Sequence, residues 1–190
     1  GNAIANPRVN NSVLNLFGNG EYGLVPDAAS LDVTTAASWE MWGNFYGTVT
    51  GGDRSYFSKY DTGGDQRSWY FYKADDSLAG EINVRISDDG ATPVEVSIGG
   101  ITDSVCHIVL TLTAGVYAFY IDGVFSSSPS LLDSTVFAST APVQIGCINI
   151  SGLPAQFSNS KIARAKIYDV ALTADQVLQN YNAQKAAFGL

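Results

Sequence analysis

A chain of 190 residues fits one domain of ordinary size better than two, so residues 1–190 read as a single domain. With 46% hydrophobic residues, only 15% charged ones and 19 glycines, it is neither disordered nor collagen-like, and the balance resembles a turn-rich β-protein. Ten Lys and Arg against 18 Asp and Glu leave a net charge of −8, which repels a polyanion, so nucleic acid is not an expected partner.

The chain opens on Gly1 rather than Met, with no basic stretch leading into an apolar one, and so reads as processed, trimmed or excised from something longer. Short alternating segments separated by Gly, Asp, Asn, Ser or Pro recur over the first 168 residues, the pattern of many short antiparallel strands. In Glu81 to Ile86 the residues Ile82, Val84 and Ile86 share one face, and Asn83 and Arg85 share the other, wet one. Val94, Val96 and Ile98 repeat this opposite Glu95 and Ser97, and Asp88-Asp89-Gly90 supplies turn chemistry between the two segments, so a hairpin is predicted.

Cys106, Ile108, Leu110 and Leu112 point one way in the next segment. A turn at Thr113-Ala114-Gly115 leads into Val116 to Ile121 and then to Asp122-Gly123, a pair that tolerates positive φ. Val105 to Ile121 is interrupted by His107, Thr111, Thr113 and Gly115 and does not read as a membrane span, so the protein is expected to be soluble. Ser126 to Ser130 is a short polar loop, and strand-like stretches resume at Val143 to Ile148 and Lys161 to Tyr168. Thr173 followed by Gln176 forms a capping-box pattern that predicts one C-terminal helix. Its stripe of Val177, Leu178, Tyr181 and Phe188 is expected to pack on the β-body, and Gly189 to end it.

Cys106 and Cys147 admit two readings. A disulfide would close a loop of about 40 residues and contribute roughly 4 kcal/mol, whereas two free thiols would be small buried hydrophobes. His107 is the single histidine, which excludes a multi-histidine metal site, and no Gly-x-Ser-x-Gly motif offers it a nucleophile.

The turn Asp61-Thr62-Gly63-Gly64-Asp65 offers Asp61 and Asp65 as ligands for Ca²⁺, the one cofactor considered, with Asp27 or Asp53 supplying a further oxygen. The competing reading is a hairpin turn whose glycines take positive φ. Trp69-Tyr70-Phe71-Tyr72 run consecutively, so Trp69 and Phe71 face opposite to Tyr70 and Tyr72; one face is core and the other is open to ligand. Arg67 shares the Trp69 face, and Glu40 shares a face with Trp42. Glu40, Trp42, Arg67 and Trp69 are therefore the candidate ligand-binding residues, apolar rings with polar partners suited to sugars. Packing of the rings between sheets is the alternative.

Five segments in register resemble the laminin-G-like members of the concanavalin A-like lectin/glucanase superfamily: Leu16 to Trp42, Ser58 to Tyr72, Cys106 to Gly123, Val143 to Ile148 and Lys161 to Leu190. The resemblance implies an all-β fold, a two-sheet antiparallel jelly-roll sandwich with one C-terminal α-helix, in which His107 is a structural strand residue. The closing segment is similar to jelly-roll domains of tailed-phage structural proteins.

Two positions depart from the pattern: Cys106 stands where many relatives carry tryptophan, and Ala163 where many carry an acidic residue, which weakens the inference of a calcium site. Glucanases of this superfamily use two carboxylates on one strand, but the glutamates here, Glu21, Glu40, Glu81 and Glu95, include no two within ten residues. The expectation is therefore a non-catalytic lectin-like module on a virion surface, in capsid decoration or a tail or head fibre, that binds host-surface glycan or other virion proteins. Competing with it are a purely structural decoration protein, trimeric or otherwise self-associating, and a secreted extracellular glycan-active enzyme.

Overall fold

The computed structural model describes residues 8–10, 13–45, 51–102, 104–130 and 133–190. Gly1, from which a trimmed start is read, lies outside them. In chain order the strands are β1 (Arg8–Asn10), β2 (Val13–Asn15), β3 (Gly23–Val25), β4 (Ala36–Asn44), β5 (Arg54–Asp61), β6 (Gln66–Lys73), β7 (Ile82–Ile86), β8 (Val94–Ile98), β9 (Cys106–Thr113), β10 (Val116–Ile121), β11 (Val124–Ser127), β12 (Val143–Ile145), β13 (Ile148–Ile150), β14 (Leu153–Ala155) and β15 (Lys161–Tyr168). One helix, α1 (Ala174–Gln184), follows.

Seven strands form one sheet in the order β1-β2-β15-β4-β9-β10-β11. The second sheet runs β14-β13-β5-β6-β7-β8, with β12 and β3 added alongside β5. Their inner faces meet in one core, as a jelly-roll sandwich requires. Alternation decides which residues enter it. Trp39 and Met41 come from β4, Phe57 from β5, Trp69 and Phe71 from β6, Ile82, Val84 and Ile86 from β7, and Cys106, Ile108, Leu110 and Leu112 from β9. Trp39, Phe57 and Phe71 all pack within 6.1 Å of Trp69 or of one another, ring centre to ring centre.

Both predicted hairpins form. Strand β7 pairs with β8 in full register, and Asp89 Oδ1 accepts the N–H groups of Ala91 and Thr92, both at 2.7 Å. Those bonds hold the Asp89 carboxyl down at about 2. Strand β9 pairs with β10 through a turn in which Ala114 and Gly115 have φ of 47° and 80°. Asp122 and Gly123 take φ of 50° and 80° before β11. Gly123 also lies against α1, where an added Cβ would sit 3.0 Å from Tyr181. The stretch expected to run from Val143 to Ile148 is two strands instead, because Gly146 turns between them at φ 87°.

The capping box is present: Gln176 N donates to Thr173 Oγ1 and Thr173 N donates to Gln176 Oε1. Val177 is the fully buried residue of α1, seated on Val109 and Tyr120. Leu178, expected to be buried, is 42% exposed, because the docked stripe is rotated toward Val177, Asn180, Tyr181 and Gln184. Phe188 lies beyond α1 in a closing 3-10 turn, and Gly189 ends it at φ 78°. Cys106 and Cys147 are free and buried, and burial pushes both thiols up to about 12.

Candidate functional site

The four ligand-binding candidates and the two metal candidates fall in three separate places. Trp69 lies inside the sandwich with no exposed surface, so a ligand arriving from solvent does not meet it. Alternation had left two assignments open, and packing of Trp39, Phe57 and Phe71 draws the Trp69 face inward. Arg67, at the end of the same strand, donates to the carbonyls of Ala91 (2.7 Å) and Thr62 (3.2 Å) and pairs with Asp65 at 3.4 Å. It ties the β5–β6 connection to the β7–β8 loop.

Glu40 and Trp42 share the outer face of the seven-stranded sheet, as alternation predicts, but that face is sealed. Trp42 stacks on His107, Tyr181 and Phe188 with centroids 4.7, 5.7 and 4.4 Å apart. Glu40, fully buried beside it, accepts hydrogen bonds from Lys166 Nζ (3.0 Å), Tyr168 Oη (2.6 Å), Asn180 Nδ2 (2.9 Å) and Gln184 Nε2 (3.1 Å). His107 Nε2 approaches Glu40 Oε1 at 3.4 Å, short of good hydrogen-bond geometry. Burial alone would raise the Glu40 carboxyl, but the His107, Tyr168 and Lys166 contacts outweigh it and hold the group well below the usual carboxylate range. The helix and the last strand thus occupy every position from which a ligand would reach this carboxylate.

The acidic turn is equally committed. Asp61 accepts the backbone N–H groups of Gly63 (2.8 Å) and Gly152 (3.0 Å), fastening the turn to the β13–β14 hairpin. Asp65 stands out in solvent beside Arg67, whose charge would oppose a cation. Asp27 is paired with Lys59, and Asp53 accepts from Asp75 N. Each of these carboxylates is thus engaged within the chain, and among the described residues no group of three or more His, Cys, Asp or Glu side chains is placed to hold a metal ion.

The face that remains is the outer one of the eight-stranded sheet, which carries the residues alternating with Trp69. Tyr60, Tyr70 and Tyr72 form a row there, Tyr70 and Tyr72 stacked at 4.3 Å and 11° and Tyr60 beside Tyr70 at 5.3 Å. The Arg85 guanidinium lies 4.6 Å over the Tyr72 ring and its Nε donates to Glu95 Oε2 at 2.7 Å. Asn83 Nδ2 donates to Ser97 Oγ (2.8 Å), and Tyr70 Oη donates to Gln156 Oε1 (2.7 Å). The tyrosine rings are buried, and burial raises all three hydroxyls, helped at Tyr70 by Asp53 and at Tyr72 by Glu95. Tyr72 Oη lies enclosed near Glu95 without a hydrogen bond of good geometry. What meets solvent is a polar roof of Arg85, Glu95, Ser97 and Gln156.

Sequence reasoning marked Asn83, Arg85, Glu95 and Ser97 as the wet side of their hairpin, and placed Tyr70 and Tyr72 together; Asn83 is instead buried, because its Oδ1 accepts from Ala74 N (3.2 Å) and Ser77 Oγ (2.5 Å). The signal the sequence lacked was the register that sets Tyr70 opposite Arg85 and Arg85 opposite Glu95. With that register the face can offer planar charged and amide groups for bidentate hydrogen bonds over an aromatic base.

No curated protein matches the chain. Among solved structures it is similar to the binding domain of botulinum neurotoxin serotype G (TM-score 0.67, 16% identity, 92% of this chain and 42% of that one). It is also similar to the serotype D ligand-binding domain in complex with N-acetylneuraminic acid (0.64, 16%, 90% and 42%). A third is the CBM40 of the Ruminococcus gnavus IT-sialidase bound to α2,3-sialyllactose (0.63, 16%, 81% and 86%). The chain thus spans less than half the length of the toxin domains. Residues 17–178 match the laminin-G-type family described as the concanavalin A-like lectin/glucanases superfamily, and with most of its length inside that match the chain belongs to this superfamily.

Proposed function

We propose that this domain is a non-catalytic glycan-binding module that receives its ligand on the outer face of the eight-stranded sheet. The observation that carries the reading is the Arg85–Glu95 pair set over the tyrosine row, flanked by Ser97 and Gln156. Such a face supplies directional hydrogen bonds on a rigid strand scaffold, the arrangement polyhydroxylated ligands need. Two similar structures are described with N-acetylneuraminic acid and with sialyllactose, which adds support for a glycan of some kind. Glu40, whose oxygens already accept four of the chain's own donors, supports the non-catalytic part of the reading.

The test is titration of the purified chain against a glycan array. Binding that falls tenfold or more, about 1.4 kcal/mol, in Arg85→Ala with no release of reducing sugar supports the reading. Binding to no glycan, or sugar release, counts against it.

The virion surface is the setting we propose, resting on the similarity of the closing segment to phage jelly-roll domains, with a secreted extracellular protein as the alternative. Capsid and tail genes flanking this one would support the first, and a polysaccharide-utilisation cluster the second.

A second reading, structural decoration through protein contacts, is favoured by one observation. Val116, Val124 and Phe125 are exposed apolar residues on β10 and the edge strand β11, with Leu178 of the neighbouring helix also exposed. It predicts self-association, as a trimer or otherwise, that Phe125→Ser abolishes in light scattering.

A further inference from the structure

We infer that the glycan received on the tyrosine face is an uncharged one; this rests on the glycan-binding reading above. The argument is the state of every charged group around the face. Arg85 is paired with Glu95 at 2.7 Å. Arg67 is held by the carbonyls of Ala91 and Thr62 and by Asp65. Arg54 folds back on the carbonyls of Gly52 and Asp53, and Lys73 donates to those of Leu78 and Glu81. Among the described residues, each cation near the tyrosines is thus held against an acceptor of the chain itself.

The carboxylates are more open. Glu95 is 37% exposed at its side chain. Asp53 stands at the start of β5, and Asp75 N donates to it at 3.2 Å, which brings the exposed Asp75 and Asp76 to the same end of the face. A sugar carboxylate or sulfate docking over Tyr72 would meet the Arg85–Glu95 pair, in which the two charges offset one another, and so would find no net cation there. The charge left uncompensated at that end of the face is that of Asp53, Asp75 and Asp76, which repels it on approach. The net charge of −8 adds repulsion of the same sign at longer range. A neutral sugar bears none of these costs and uses the hydrogen-bonding groups of Arg85, Glu95, Ser97 and Gln156.

The experiment is calorimetric titration of the full chain with lactose and N-acetylglucosamine oligomers against 3′-sialyllactose and a sulfated glycan, at low and at high salt. The expected result is binding of a neutral glycan at least about tenfold tighter than of either acidic one. Salt should leave the neutral affinity unchanged and narrow the gap. Glu95→Gln, which frees the Arg85 charge, should raise the acidic glycans relative to the neutral ones. Tightest binding to an acidic glycan would overturn the inference and leave the glycan-binding reading standing. Failure of the folded chain to bind any glycan of a broad array would overturn both.

Discussion

The two outer faces of this sandwich are built from similar parts and are covered to different degrees. Over the seven-stranded sheet, Trp42, His107 and Glu40 are covered by α1 and the closing turn, and Glu40 receives four hydrogen bonds. Over the eight-stranded sheet, among the described residues, Tyr70 and Tyr72 lie under a polar roof of strand side chains, and Arg85 and Glu95 keep about a third of their side-chain surface. Aromatic rings beside a carboxylate are therefore not evidence of a binding site in themselves. The difference lies in whether the chain has already supplied the partners a ligand would bring.

The largest effects should come from breaking the sealed face. Trp42→Ala removes a ring that three others stack on and should cost about 3–5 kcal/mol, read as a shifted denaturation midpoint. Glu40→Ala takes a charged acceptor from each of Tyr168, Asn180, Gln184 and Lys166. With Lys166 partly exposed, the cost should be about 3 kcal/mol.

Glu40 also sets a pH dependence. Its folded carboxyl titrates below its ordinary value of 4.5, so its contribution is fully present above about pH 4.5 and is lost as pH falls from there toward the folded value. Asp89, held at about 2, acts in the same direction. A urea series against pH should show an acid limb that flattens in Glu40→Gln.

Smaller changes sharpen the contrast. Thr173→Ala removes half of the capping box and should cost about 1 kcal/mol without touching the tyrosine face. Arg85→Ala should alter stability by no more than about 1 kcal/mol, because its ion pair is partly exposed, while abolishing most glycan affinity. A large stability loss with binding retained would invert the roles assigned to the two faces.

Much of the fold was legible because local signals and packing agree. The β7–β8 and β9–β10 hairpins and the Thr173 cap follow from alternation, turn residues and a capping box. The site was less legible. Alternation places Trp69 opposite Tyr72 but does not say which of them faces inward, since both rings bury well; the partners Trp39 and Phe57, distant in sequence, decide it. Likewise Glu40 and Trp42 share a face on any strand reading, yet their covering residues Asn180, Tyr181 and Phe188 lie some 140 positions later. Long-range docking of that kind leaves no trace in local pattern, and the exposure of Leu178 has the same origin.

Amide and side-chain NMR shifts followed during titration with a bound glycan test the division between the faces most directly. The account predicts perturbations confined to Tyr70, Tyr72, Asn83, Arg85, Glu95, Ser97 and Gln156, with Trp42, His107 and α1 unmoved. Perturbations centred on Trp42 and the helix, with the tyrosine face silent, would contradict it.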